Sequence, residues 1–292
     1  MTEKPTNSID YLDHYHGKGY AILKGFYSND EVAELRHAAD RLKSEGLKHD
    51  ASFRHKNLLY LIQQDPKLGK ILRFCHWPSY SFPVFAKYRN DVRLMDLLRP
   101  LLGDDIKQVT NQVIWKTPGA ARTSYGFHQD ARFRRPASAF RNLGDSYIQT
   151  FMAIDRHTTE NGCVILIESS HELGDLDHFT DKSVFEEDVT EEVLASLGLG
   201  KLKKVEVQLD PGDLAIWNAY TLHGSGSNMS TDDRRVYTNG YMTAKNCDRG
   251  EWAFRDGQPV PLGEPVLVQY EDLFSRPEPH YIQGAPNPVR EK

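Results

Sequence analysis

Cysteine is scarce in this chain. Cys75, Cys163 and Cys247 are the three cysteines in 292 residues, an odd number at wide spacing. That excludes a disulfide framework and predicts reduced thiols. None sits in a recognisable nucleophile motif, so thiol catalysis is not expected. Long hydrophobic runs are also missing. No stretch reaches the roughly 18 apolar residues a spanning helix needs, so no membrane partner is expected. The opening MTEKPTNSIDYLDHYHG has no apolar core of a secretory signal, and a cytoplasmic protein is expected. Nor is there an excess of positive charge: 36 Lys and Arg stand against 41 Asp and Glu, net −5, which speaks against nucleic acid or an acidic membrane as partner. Repeats and low-complexity linkers are absent. With 39% hydrophobic and 26% charged residues, the expectation is one globular domain over 1–292 with a substantial core.

What is present changes character along the chain. Ser28 and Glu31 form a capping box, and Val32, Leu35, Ala38 or Ala39, and Leu42 then recur on one helical face. GYAILKGF before it reads as a short strand. DVRLMDLLRPLLG reads as a helix that Gly103 stops, within a mixed stretch from 53, and the N-terminal part to about 105 is expected to be mainly helical. From about 108 the texture is short β-branched and aromatic runs: QVTNQVIWKT, SYIQTFMAID, GCVILIES, KKVEVQL, GDLAIWNAYTLHG and RRVYTNGYMTA. Turn residues separate them, which predicts a mainly β sandwich or barrel with flanking helices. Residues 172–200 are acidic and partly helical, and read as an insertion that lines or covers one end.

GFHQDARF, at 126–133, carries the first chemical signal. In a strand, His128 and Asp130 project to one face with Gln129 opposite, so both can grip one ion. A third ligand must come from a neighbouring strand, and His223 ends AIWNAYTLH. Two imidazoles and a carboxylate on one side of a metal leave open positions, the arrangement suited to non-haem Fe(II). Taken alone, a His-x-Asp pair is weak evidence, and polar side chains facing solvent are the more common reading.

RRVYTNGYM supplies the second signal. By alternation Arg234, Val236, Thr238, Gly240 and Met242 share the smaller, more apolar face, which should look inward. An inward arginine is expensive unless it meets an anion, and a ligand carboxylate or a structural salt bridge would each satisfy it.

Together, FHQDARF, TTENGCVILIESSHELG, DPGDLAIWNAYTLHGSGSN and RRVYTNGYM resemble the phytanoyl-CoA dioxygenase family over roughly 15–245. The resemblance implies a double-stranded β-helix, also called a jelly roll, of cupin-like form. It implies an Fe(II)- and 2-oxoglutarate-dependent dioxygenase that hydroxylates its substrate with O2, releasing succinate and CO2. It makes His128, Asp130 and His223 the iron ligands. It matches Arg234 and Ser225 to the pair that holds the distal carboxylate of 2-oxoglutarate, with Gln112 or Lys116 as a further cosubstrate contact. Asp130 favours hydroxylation over halogenation, which needs a small residue there. Glu168 and Ser169 stand where the family has proline and glycine, and Phe151 where a tryptophan is common, so these positions bear on the substrate pocket.

Around the ligand pair lie Lys116, Arg122, Arg132, Arg134, Arg135 and Arg141. Such a cluster predicts a small substrate bearing carboxylate, phosphonate or phosphate. Strand parity makes Arg132 and Arg134 the preferred contacts, while pairing of the cluster with the acidic insertion is the alternative. An acyl-CoA substrate, or a cupin-like metalloprotein with non-oxidative chemistry, are the other functions considered. Tyr125, Phe127 and Phe133 read as apolar wall or core, His157 and His171 as rim residues, and FCHWPSY as aromatic lid or packed loop. The Pro-rich tail from 249 reads as a surface wrap or a subunit contact in a homo-oligomer.

Overall fold

A computed structural model describes residues 8–121, 123–176, 190–266 and 280–281. Arg122, the middle of the 172–200 insertion and most of the C-terminal tail lie outside the described residues. Helix α1 (Ser8–Lys18) leads into β1 (Tyr20–Leu23) and α2 (Asn29–Gly46). The capping box is made: Ser28 accepts from the Glu31 backbone N–H, and Glu31 accepts from that of Ser28 at 2.8 Å. Strands β2 (Phe53–His55), β3 (Leu58–Asp65) and β4 (Gly69–His76) follow. These run through the part expected to be mainly helical. Their buried residues come in continuous runs rather than alternating, so periodicity is a poor guide to them. Helices α3 (Pro83–Arg89) and α4 (Val92–Leu102) precede β5 (Ile106–Lys116), and Gly103 caps α4 as expected.

Seven more strands complete a double layer: β6 (Tyr125–His128), β7 (Tyr147–Ala153), β8 (Val164–Ile167), β9 (Lys204–Val207), β10 (Leu214–Asn218), β11 (His223–Ser225) and β12 (Arg234–Thr243). The chain alternates between two antiparallel sheets. The large sheet has the order β1-β10-β7-β12-β5-β4-β3-β2, and the small one β6-β11-β8-β9. Strands β5 to β12 thus form the jelly roll. β13 (Glu251–Arg255) and β14 (Gln258–Pro259) extend the β5 side, and β15 (His280–Tyr281) pairs with β2.

The large sheet is buried on both faces. Its outer face, through Val113, Trp115, Met152 and Ile216, meets Leu35, Ala39 and Leu42 of α2, Phe85 of α3 and Leu98 of α4. Each buried Leu or Phe among them contributes about 1.5–3 kcal/mol by burial, far more than helix propensity alone, so packing fixes these helices. Its inner face, through Phe151, Ala153, Ala215, Trp217 and Val236, meets Val164, Leu166 and Val207 of the small sheet. The insertion contributes Leu194 and Leu199, which pack with Phe127, Ile167 and Leu222. Of the two readings of FCHWPSY, lid or packed loop, the structure gives the packed one: Phe74–His76 end β4, and Trp77 and Pro78 are buried. The three cysteines are free and buried. Among the described residues, no helix is long and apolar enough to cross a membrane.

Candidate metal and cosubstrate centre

Strand pairing brings the distant histidines together. β11 lies against β6 with His223 opposite His128, and the two rings are centred 4.2 Å apart. Asp130 arrives differently from the strand-parity argument. β6 ends at His128, and Asp130 opens a 3-10 turn, Asp130–Phe133. The turn swings the carboxylate beside the imidazoles, with Oδ1 3.9 Å from Nε2 of His223. One ligand atom from each of His128, Asp130 and His223 lies within 4.8 Å of the others, and all three residues are buried.

The surroundings fit a divalent metal. Nδ1 of His128 faces the Gly126 carbonyl at 2.7 Å, and Nδ1 of His223 faces that of Thr221 at 2.9 Å. Each Nδ1–H is thereby engaged, which leaves the Nε2 lone pairs for a metal. Burial, reinforced by His223 and Arg132, holds the pKa of His128 well below the usual value, keeping the ring in its ligating neutral form. Trp217 donates its indole N–H to Oδ2 of Asp130 at 2.9 Å, so Oδ1 is the oxygen left to coordinate. Sequence reasoning missed Trp217. Its signal was the inward parity of β10, two residues from Ala215.

The inner face of the large sheet carries the second half of the centre. Arg234 and Lys116 are direct partners across β12 and β5, 2% and 0% exposed. Lys116 donates to Ser225 Oγ at 2.7 Å and to the Gly226 carbonyl, and Arg234 donates to the Gly162 carbonyl. Nε of Arg234 has no partner among the described residues, and no ion pair there includes Arg234 or Lys116. The structural salt bridge considered for Arg234 is therefore not formed among the described residues. Burial lowers Arg234 to about 10, and burial beside Arg234 and Arg73 lowers Lys116 well below its usual value. Two adjacent buried cations without an acid are costly and match an incoming dicarboxylate. The Phe151 ring lies 6.0 Å from the Arg234 guanidinium and 5.3 Å from the Trp217 ring, spanning clamp and triad.

Other expected contacts fall in different places. Lys116, read as a substrate contact, sits at the Ser225–Arg234 end. Gln112 opposes Thr238, four residues along β5 from Lys116, and so lies at the middle of the inner face rather than at that end. Tyr125 lies under Lys116, and Phe133 against the His128 ring at 5.5 Å, while Phe127 is core. Arg132 and Arg134 do not share a strand face, because the chain is in the 3-10 turn. Arg132 stays beside His128, whereas Arg134 is buried against Thr110 and Tyr147. Arg141 pairs with Asp248 at the surface, and Arg135 folds back onto the Ala131 carbonyl. His157 and His171 contact backbone carbonyls of Arg235 and His16.

A jelly roll with two imidazoles and a carboxylate at its mouth, and a buried cationic clamp beside them, defines the class of non-haem iron oxygenases. The family profile described as phytanoyl-CoA dioxygenase (PhyH) matches residues 15–236. The chain belongs to the phytanoyl-CoA dioxygenase (PhyH) family and is an Fe(II)- and 2-oxoglutarate-dependent oxygenase. It is 26% identical over 250 residues to a probable alpha-ketoglutarate-dependent hypophosphite dioxygenase of Stutzerimonas stutzeri, covering 80% of this chain and 77% of that one. It is 26% identical over 267 residues to the ectoine dioxygenase of Sphingopyxis alaskensis, covering 87% and 82%. Among solved structures it resembles EctD from S. alaskensis with bound Fe, with TM-score 0.66 and 23% identity over 90% of this chain and 88% of that one.

Proposed function

We propose that His128, Asp130 and His223 hold Fe(II), and that Arg234, Lys116 and Ser225 bind the far carboxylate of 2-oxoglutarate. The reading rests on one observation: the buried Lys116–Arg234 pair has no acidic partner among the described residues, next to a two-histidine, one-carboxylate site. When bound, iron with O2 supplies oxidation: 2-oxoglutarate becomes succinate and CO2, and one oxygen enters the substrate as a hydroxyl. The chain's residues do the positioning. Trp217 fixes the Asp130 carboxylate, the carbonyls of Gly126 and Thr221 fix the imidazole tautomers, and Phe151 separates the clamp from the substrate side.

The substrate is read as a small oxyanion-bearing molecule. The supporting features are Arg132 beside His128 and the buried Arg134, both outside the Lys116–Arg234 clamp, and the hypophosphite named for one relative. The clamp itself weighs against the cupin-like non-oxidative alternative, which has no use for a dicarboxylate site. The whole chain is read as one oxygenase domain acting in the cytoplasm. The test is succinate release with Fe(II), 2-oxoglutarate and a panel of small anions. Asp130→Ala is expected to abolish it, and full coupled turnover by that variant would remove the assignment.

A further inference from the structure

The inner face of the large sheet meets a second buried cation, at the opposite end from the clamp. Arg134 is 3% exposed. Its Nη2 donates to Thr110 Oγ1 at 2.6 Å and to Tyr147 Oη at 3.0 Å, and its guanidinium lies 5.0 Å from the Tyr147 ring centre. The remaining contact is its neighbour's carbonyl, Phe133, at 3.4 Å, and Nε has no partner among the described residues. Two arginines that serve structure are satisfied differently. Arg235 is paired with Asp155, and Arg89 donates to three carbonyl-type oxygens, on Gln108, Trp252 and Val260. Hydroxyls are weaker acceptors than these and carry no charge to offset a desolvated guanidinium.

Register places its partner Thr110 on that inner face. Thr110 lies on the inner face of β5, in step with Gln112, Ile114 and Lys116, and opposite Gly240. Gly240 in turn faces Gln149, and Gln149 faces Trp217, the residue that holds Asp130. Tyr147 donates to Gln149 along this row. From Lys116 to Thr110 is six residues, about 20 Å of strand. A five-carbon diacid, with bonds of about 1.5 Å, reaches only about a third of that. A cosubstrate clamped at Lys116 and Arg234 and directed at the triad therefore leaves Arg134 unneutralised. The titratable groups beside it offer no negative charge: burial raises Tyr147 and Cys247 above their usual values and lowers His76 to about 3.

We infer that Arg134, steadied by Thr110 and Tyr147, is the recognition site for the oxyanion group of the primary substrate, separate from the cosubstrate clamp. The inference rests on the oxygenase reading and deepens it. It makes Arg134, rather than Arg132 or Lys116, the residue that selects anionic substrates.

The test uses the whole protein, anaerobic, with Fe(II) and saturating 2-oxoglutarate, and methylphosphonate and acetate as probes. Calorimetric titration is expected to show at least one probe binding without loss of the 2-oxoglutarate–iron charge-transfer band. The better probe identifies phosphonate or carboxylate as the preferred group. Arg134→Met is expected to weaken that binding tenfold or more, with Arg134→Lys restoring part of it. The 2-oxoglutarate affinity read from the band should stay within twofold in both. With Mn(II) replacing iron in the unmutated protein, bound methylphosphonate is expected to show a strongly broadened phosphorus signal, a readout that does not depend on a variant folding. The assignment is overturned if both probes bind only by displacing 2-oxoglutarate, if Arg134→Met binds as well as the parent, if bound phosphonate is not broadened, or if neither probe binds at millimolar concentration. An unmutated protein without the charge-transfer band overturns the oxygenase reading as well, whereas a normal band without anion binding overturns the Arg134 assignment alone.

Discussion

Trp217 donates its indole N–H to Asp130 across 87 residues of chain, at 2.9 Å and in a buried setting. Such hydrogen bonds orient a ligand and tune its basicity, and removing one commonly costs 10–100-fold in metal affinity. Trp217→Phe keeps the ring between Phe151 and His223 but removes the donor. Its affinity for Co(II), titrated spectroscopically, is expected to fall by roughly tenfold or more, with little change in melting temperature. An unchanged affinity would show that the indole only packs.

The two unneutralised cations of the clamp predict opposite effects on empty and loaded protein. Replacing a desolvated, unpaired charge by an apolar side chain of similar length is neutral or stabilising. Lys116→Met is therefore expected to melt at or above the parent temperature without ligand. Bound 2-oxoglutarate at a hundredfold over its Kd should stabilise the parent by about 2.7 kcal/mol, and most of that shift should vanish in Lys116→Met. Thermal unfolding with and without 2-oxoglutarate reads both effects.

Gly162 has a positive φ of 72°, and its carbonyl accepts from Arg234. A methyl group there would run into the carbonyls of Gly226 and Ser227, backbone atoms that cannot step aside cheaply. Gly162→Ala is expected to raise the Kd for 2-oxoglutarate tenfold or more by displacing the loop that seats Arg234 and Lys116. Metal binding, measured with Co(II), should change far less.

A pH dependence attaches to Glu31. The hydrogen bond from Arg93, followed by the capping contacts of Ser28, lowers its carboxyl from 4.5 to about 2. Because the folded pKa lies below the unfolded one, the stabilisation is fully present above about pH 4.5 and is lost as pH falls toward 2. Glu31 is partly open to solvent, so about 1 kcal/mol is expected after screening. The stability gap between the parent and Glu31→Gln, from urea unfolding, should be constant near neutrality and close on acidification. A gap that widens toward low pH would contradict this.

Much of the site was legible because its ligands sit in short, ordered motifs. His128 and His223 were readable from FHQDARF and the end of AIWNAYTLH, and Arg234 from the inward parity of RRVYTNGYM. The parity argument gave the right partner for His128 by the wrong geometry, since Asp130 belongs to a 3-10 turn. The same error carried to Arg132 and Arg134, which a strand would have placed side by side. Lys116 was legible as a basic residue near the site, but its place beside Arg234 depends on β5–β12 register, which only pairing determines. Strands β2 to β4 were hidden because they do not alternate.

The sequence by itself determined the chemistry: which side chains can ligate iron, which strands and capped helices form, and which arginine turns inward. These follow from residue type and from local periods of two and 3.6. Only the tertiary structure decided who meets whom. Antiparallel register set His223 against His128 and Lys116 against Arg234, and the 3-10 turn carried Arg134 to Thr110 and Tyr147. Contacts across tens to hundreds of residues depend on how sheets pair and pack, and no local pattern encodes that.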